Sequence, residues 1–331
     1  MRLVEAKTYA NGIDYLETIK GGAEMSDKRP SYVLITPARN ESAYIEKTLE
    51  SMVRQTMLPL KWVIVNDGST DATSGIVQRY LPGNPWIQLI DRPVRKERNF
   101  AAKVHAFNVG LEAVRGMDYE IIGNLDADVS LDPDHFEFLM GQFATDDRLG
   151  CAGTVFEEEG YSSETDSFEG QNHVSGQCQI FRRTCFEEIG GYIPNKAGGI
   201  DWMAVTTARM KGWKTRSFRE KCFFHYRSMG TAERSKLASS FSYGEKDYYL
   251  GGSPIWEAFR LSYRMTKKPY IVDGLAIGSG YLWAFLSRQK RPISDELMRF
   301  HRKEQMQKLK FILRSMLHLQ QVKNFEVKAS Q

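Results

Sequence analysis

Apolar residues in the first two thirds of the chain come in short runs separated by polar segments, and the runs alternate between two spacings. Tyr32-Val33-Leu34-Ile35-Thr36 and Trp62-Val63-Ile64-Val65 are β-branched and aromatic, which predicts buried strands. Trp86 to Ile90 predicts a third strand, and Ile121-Ile122-Gly123-Asn124-Leu125 a fourth that ends at Asp126. Between the first two, Ile45, Leu49, Met52 and Val53 share one face of a helix reaching Gln55, with Asn40 as its N-cap. A second helix runs to Tyr80. A third, over Lys103 to Val114, follows a basic loop containing Arg92, Arg95, Lys96 and Arg98. After a helix near Asp134 to Phe143, Gly150 to Phe156 predicts a further strand. Strands alternating with helices imply βαβ units around a parallel sheet.

The flanks read differently. Residues 1–30 carry no clear period and form an N-terminal extension. Glu157 to Asn172 is acidic and polar, the composition of a solvated surface loop. Farther on, Tyr270 to Leu286 is apolar but holds one Asp and three Gly. Leu309, Ile312, Leu313, Met316 and Leu317 form a helical stripe beside Lys308, Lys310 and Arg314. Both stretches suit either packing on the preceding domain or binding at a membrane interface.

Charge sharpens that choice. The 331 residues carry a net +4, but eleven Lys/Arg against four Asp/Glu from Arg288 onward put +7 there and −3 before it. That asymmetry points to an anionic membrane surface as partner rather than nucleic acid. No apolar run reaches about 18 residues, so no spanning helix is expected. The N-terminus shows no secretory h-region, and Cys151, Cys178, Cys185 and Cys222 form no Cys-x-x-Cys pair. The expectation is a cytoplasmic protein, peripheral on the cytoplasmic face of the inner membrane. A hydrophobic content of 42% with 26% charged residues excludes wholesale disorder.

The candidate chemistry sits at strand ends. Asp126-Ala127-Asp128 presents two carboxylates one residue apart at the carboxyl end of a strand, where open α/β sheets bind ligands. Such a pair suits a hard divalent cation, Mg²⁺ or Mn²⁺, that also binds phosphate oxygens. An Asp-x-Asp alone is weak evidence, since about one is expected by chance in a chain of this length. Asp132-Pro-Asp134 is a second instance and reads as a turn before a helix. Three successive strands, however, end in polar clusters: Pro37 to Glu41, Asn66 to Asp71, and Asp126 to Asp128. A nucleotide lying across that sheet edge accounts for all three.

Taken in order, Ile35-Thr36-Pro37-Ala38-Arg39-Asn40-Glu41, Val65-Asn66-Asp67-Gly68-Ser69-Thr70-Asp71 and Leu125-Asp126-Ala127-Asp128 resemble a family 2 glycosyltransferase of bacterial polysaccharide biosynthesis. Lys103-Val104-His105-Ala106-Phe107-Asn108-Val109-Gly110-Leu111 is similar to that family's Lys-x-x-Ala-x-Asn-x-Gly-Leu helix. Gly176 to Arg183 and Gly190-Gly191-Tyr192 resemble the segments before its acceptor site. The resemblance implies an α/β GT-A domain, a Rossmann-like mixed sheet, over residues 31–230, followed by a mainly helical C-terminal region over 231–331.

It also implies roles. Pro37, Ala38, Asn40, Glu41 and Asp67 would hold the nucleobase and ribose of a nucleotide-sugar donor, with Lys103 close by. Asp126 would border ribose and metal, and Asp128 would ligate the metal. Asp201 falls where the family has a Glu-Asp pair whose Asp is the general base; Ile200 stands in place of the Glu. His225 falls where relatives place a histidine near the diphosphate or metal. Asn66 stands where a second Asp is common. The Gln-x-x-Arg-Trp signature of processive synthases is absent, since Gln289-Lys290-Arg291-Pro292 does not satisfy it. The implied activity is inverting transfer of single sugars, from a UDP-sugar, to a saccharide or lipid-linked acceptor. Two alternatives stand beside it: a non-catalytic nucleotide-sugar-binding subunit and a phosphatase of the haloacid-dehalogenase type. Were Asp201 only a helix cap, the base would be sought between Glu157 and Glu169.

Overall fold

The computed structural model describes residues 29–94, 100–163, 170–195, 198–227, 236–266 and 270–317. Arg95, Lys96 and Arg98 of the expected basic loop, and nearly all of the expected N-terminal extension, lie outside them.

The first half follows the predicted alternation: β1 (Tyr32–Ala38), α1 (Ile45–Val53), β2 (Lys61–Asn66), α2 (Thr73–Tyr80), β3 (Ile87–Asp91), α3 (Phe100–Ala113) and β4 (Ile121–Leu125). Strands β3, β2, β1 and β4 lie side by side and parallel, with Ala38 opposite Asn66 and Ile35 opposite Asn124. Parallel neighbours put their carboxyl ends on one edge, so the three polar clusters meet there.

Beyond β4 the sheet turns mixed. The chain continues through β5 (Val129–Leu131), α4 (His135–Thr145), β6 (Leu149–Glu158), β7 (Tyr161–Ser162), β8 (Cys178–Arg182), α5 (Arg183–Glu188), α6 (Ile200–Met210) and β9 (Lys214–His225). Strand β8 runs antiparallel between β4 and β6, β9 parallel to β6, and β5 antiparallel at the far edge.

Alternate side chains build two cores, one on each face of the sheet. Tyr32, Leu34, Trp62 and Ile64 pack with α1, α2 and α4. Val33, Ile35, Val63 and Val65 pack with α3, α5 and α6. Four helices follow: α7 (Lys236–Tyr249), α8 (Pro254–Met265), α9 (Val272–Leu286) and α10 (Asp295–Leu317). Tyr248, Tyr249, Leu250 and Ala284 join Trp202 and Met203 of α6 in a third apolar cluster, which fastens this region to the sheet domain.

Three expectations change. Asn40 is not the N-cap of α1: it sits at φ 55°, and the helix begins at Ile45 after a turn in which Ile45 N–H donates to the Glu41 carbonyl. Its side chain instead accepts from the Thr70 amide at 2.9 Å. The acidic segment does not begin at Glu157, because β6 extends to Glu158, which is buried, and turns back through β7. The C-terminal stripe divides: Ile312 is buried, whereas Leu313 is exposed. All four cysteines are free thiols.

Candidate active site

The loops after β1 and β2 are laced together by backbone amides and short polar side chains. The Asn40 amide donates to Ser69 Oγ (2.9 Å), Glu41 to Thr73 Oγ1 (2.8 Å) and Ser42 to Asp71 Oδ2 (3.0 Å). Asp67 is buried, and Arg92 donates to its Oδ1 at 2.6 Å. Between them Gly68 has φ 71°, and a Cβ there would stand 2.6 Å from the Pro93 carbonyl oxygen, so only glycine fits this corner.

At the end of β4, Asp126 and Asp128 take different partners. Lys103 of α3 donates to Asp126 Oδ1 at 2.5 Å, and Asn124 Nδ2 donates to the same oxygen at 3.0 Å. Asp128 Oδ1 lies 3.4 Å from His225 Nε2, and its Oδ2 3.8 Å from Arg227 Nε. Arg227 also forms a two-pronged pair with Glu41, at 3.0 and 2.6 Å. The first strand's loop, the fourth strand's end and the residues after β9 are thus bonded into one cluster.

The electrostatics follow from this crowding. Burial would lower the His225 pKa, but the hydrogen bond and charge of Asp128, then Glu158, push it up to about 9. Burial raises Glu41 to about 7, helped by the Asp128 charge and opposed by Arg227. Burial disfavours the Asp128 anion, yet His225, Arg227 and Lys103 hold its carboxyl below the ordinary range. Burial likewise works against the Lys103 ammonium, but Asp126, Asp201 and Asp128 together hold it above its usual value.

Asp201 lies in the first turn of α6, after Gly199 in the left-handed region. Burial acts against its charge; Lys246 of α7 and His173 outweigh that and keep its carboxyl low. Its position is fixed from below. A Cβ at Gly176 would come 2.9 Å from Asp201 Cβ, and the Gly176 carbonyl accepts from Asn124 Nδ2 at 2.6 Å. Asn124 therefore bridges Asp126 to the backbone on which Asp201 rests. Gln179 donates to the Val174 carbonyl (2.8 Å) and accepts from Tyr192 Oη (2.8 Å), so the wall behind is a satisfied polar network.

The sequence-predicted residues therefore come together: Pro37 and Ala38 at the end of β1, Asn40, Glu41 and Asp67 on the two linked loops, Lys103, Asp126 and Asp128 beside them, His225 on Asp128, and Asp201 within reach of the Lys103 charge. Sequence reasoning missed Glu158, Asn124, Arg227 and Arg92. Arg227 stands two residues after His225, and Arg92 opens the basic loop; Glu158 falls in the acidic segment that reads as a surface loop.

Among the described residues no group of three or more His, Cys, Asp or Glu is placed to hold a metal ion. Asp128 Oδ1 and His225 Nε2 nevertheless lie 3.4 Å apart, and His225 Nδ1 bonds to Glu158 Oε1 at 2.7 Å, the carboxylate support that metal-bound histidines take. Two protein ligands with diphosphate oxygens completing the shell is how Mg²⁺ and Mn²⁺ commonly bind. The residues fit.

A parallel half-sheet continued as a mixed sheet, with polar strand ends gathered on one edge, defines the nucleotide-sugar transferase class of GT-A folds. Residues 33–198 match the family described as Glycosyl transferase family 2, and the chain belongs to that family. Chondroitin synthase of Escherichia coli is 34% identical over 126 residues, 38% of this chain and 17% of that protein. The chain thus spans less than a fifth of the length of this relative. Among solved structures, GalNAc-T7 with UDP, GalNAc and Mn²⁺ superposes with a TM-score of 0.58 at 13% identity, over 88% of this chain and 58% of that one. The mannosyltransferase PcManGT from Pyrobaculum calidifontis, in complex with GDP-Man and Mn²⁺, gives 0.52 at 19% identity, over 88% and 84%. These two establish the fold.

Proposed function

We propose that the chain transfers a single sugar, with inversion, from a nucleotide-diphosphate sugar to a saccharide or lipid-linked acceptor in polysaccharide assembly. The observation that carries this is the gathering of Asp126, Asp128 and Asp201 around Lys103 at the edge where three strands end. Pro37, Ala38, Asn40, Glu41 and Asp67 hold base and ribose, and Lys103 faces the diphosphate. Asp128 and His225 hold the cation, with Asp126 beside them. A divalent cation bound there would offset charge gathering on the departing diphosphate. Asp201, ionised at neutral pH, takes the proton of the acceptor hydroxyl as that oxygen approaches the anomeric carbon from the opposite face. The rigid strand ends supply orientation. The solved relatives hold UDP in one case and GDP-Man in the other, each with Mn²⁺; a UDP-sugar is the first donor to test. Peripheral attachment to an anionic membrane through the C-terminal region belongs to the same reading.

Calorimetry of UDP and GDP binding, with Mn²⁺ or with EDTA, tests it. Affinity should rise with the cation in the native protein, and Asp128→Ala should abolish that dependence without unfolding. Equal binding in EDTA and Mn²⁺ overturns the reading.

A further inference from the structure

Helix α9 is inside out for a helix in water. Its buried positions are Asp273, Gly274, Ile277, Gly280 and Ala284. Its large apolar residues Val272, Leu275, Leu282, Trp283, Phe285 and Leu286 point outward, 46% to 67% exposed. Glycines make this possible. A Cβ at Gly280 would lie 1.9 Å from the Phe241 carbonyl oxygen of α7, and one at Gly244 of α7 1.9 Å from the Ile277 carbonyl oxygen. The two backbones touch, and Gly274 and Gly278 rest in the same way on Met265 and Leu261 of α8. Small residues at the helix contact with bulky apolar ones facing out is how helices pack in lipid, where nothing draws large side chains inward.

Charge agrees. The one charged residue of α9, Asp273, is turned inward, accepting from Ser240 Oγ and paired with Arg264 at 3.2 Å. Arg288 and Lys290, both exposed, follow the helix directly and open the segment that carries the +7 excess. Fifteen residues span about 22 Å, short of the roughly 30 Å hydrocarbon core. Among the described residues no helix is long and apolar enough to cross a membrane. The face is suited to lying in the interface.

We propose that the outer face of α9 inserts into the headgroup and upper acyl region of an anionic bilayer. This rests on the peripheral attachment stated above and assigns it a surface. The partner helix α7 also carries Lys246, whose Cε would lie 3.5 Å from a Cβ at Gly199, just before Asp201. The docked helix pair therefore borders the acceptor side, close to where a lipid-linked hydroxyl would be presented.

The full chain is mixed with vesicles of equal parts phosphatidylcholine and phosphatidylglycerol carrying brominated acyl chains. Of six tryptophans, Trp283 alone is exposed, so it reports contact. The protein should sediment with the vesicles at low salt, and its fluorescence should be quenched. Trp283→Phe should lose most quenching yet still sediment. Leu282→Glu with Leu286→Glu should lower the bound fraction about tenfold or more, with circular dichroism and UDP binding unchanged. Undiminished binding by that double variant overturns the α9 assignment and leaves attachment through the basic tail standing. Failure of the native chain to sediment overturns both. Should light scattering show a lipid-free dimer that the double variant makes monomeric, without vesicle binding, the face is a protein interface and the inference falls.

Discussion

The imidazole of His225 bonds through Nδ1 to the buried carboxylate of Glu158, 67 residues earlier in the chain, at 2.7 Å. Its other nitrogen is thereby aimed at Asp128. One strand end thus orients the imidazole that another strand end contacts.

A pH dependence follows. The folded-state pKa of His225 is raised from 6.5 to about 9, so its contribution to the stability of the metal-free protein is complete below 6.5 and lost as pH rises to 9. A cation taken up by Asp128 and His225 must displace that proton. Apparent Mn²⁺ affinity should therefore rise with pH up to about 9, by as much as about tenfold per unit. His225→Ala should weaken binding and flatten the slope; titration calorimetry at several pH values measures both. An unchanged slope in the variant removes His225 from the ligand set.

Asp201→Asn keeps the shape of the helix start and removes the carboxylate proposed to accept the proton. Turnover should fall about 10²-fold or more while nucleotide binding stays near native. A helix cap would be served equally well by Asn. Steady-state kinetics showing near-native turnover would move the search to the acidic residues after β6.

Lys103 neutralises a cluster of three carboxylates. Lys103→Ala should lower the melting temperature of the metal-free protein, because buried like charges lose their common counterion. Mn²⁺ with UDP should restore more of that loss than in the native protein. Thermal unfolding with and without the cation decides; equal shifts in both proteins would mean that Lys103 and the metal act independently.

Gly68→Ala tests the corner that follows β2. The positive φ and the 2.6 Å approach to Pro93 should together cost about 1–3 kcal/mol in denaturant unfolding. A change within error would show that the loop relaxes freely.

The sequence disclosed most where chemistry is local. Asp126 and Asp128 stand out because a strand and its end are contiguous in the chain, and alternating apolar runs mark both faces of the sheet. Asn40 misled because the same short side chain suits an N-cap and a left-handed turn. Glu158 was hidden because only the return of β9, far along the chain, turns an acidic residue into a buried partner. Arg227 pairs with a residue 186 positions away. For α9, an apolar run reads alike whether its bulk faces in or out; the glycines of α7 decide the matter in three dimensions.

The topology of β9 bears on what counts as a working unit. The family match ends at 198, yet β9 begins at Lys214, pairs with β6, and alone delivers His225 and, just past its end, Arg227 to Asp128. A fragment cut at the family boundary would keep Asp126, Asp128 and the loops after β1 and β2, but lose Asp201, leave β6 with an open edge and Asp128 without its neighbours. In this chain the shared segment is an incomplete module. Exchanging the stretch from Gly199 to Arg227 between relatives would move Asp201, His225 and Arg227 as one unit, while Asp126, Asp128 and the loops after β1 and β2 stayed with the host.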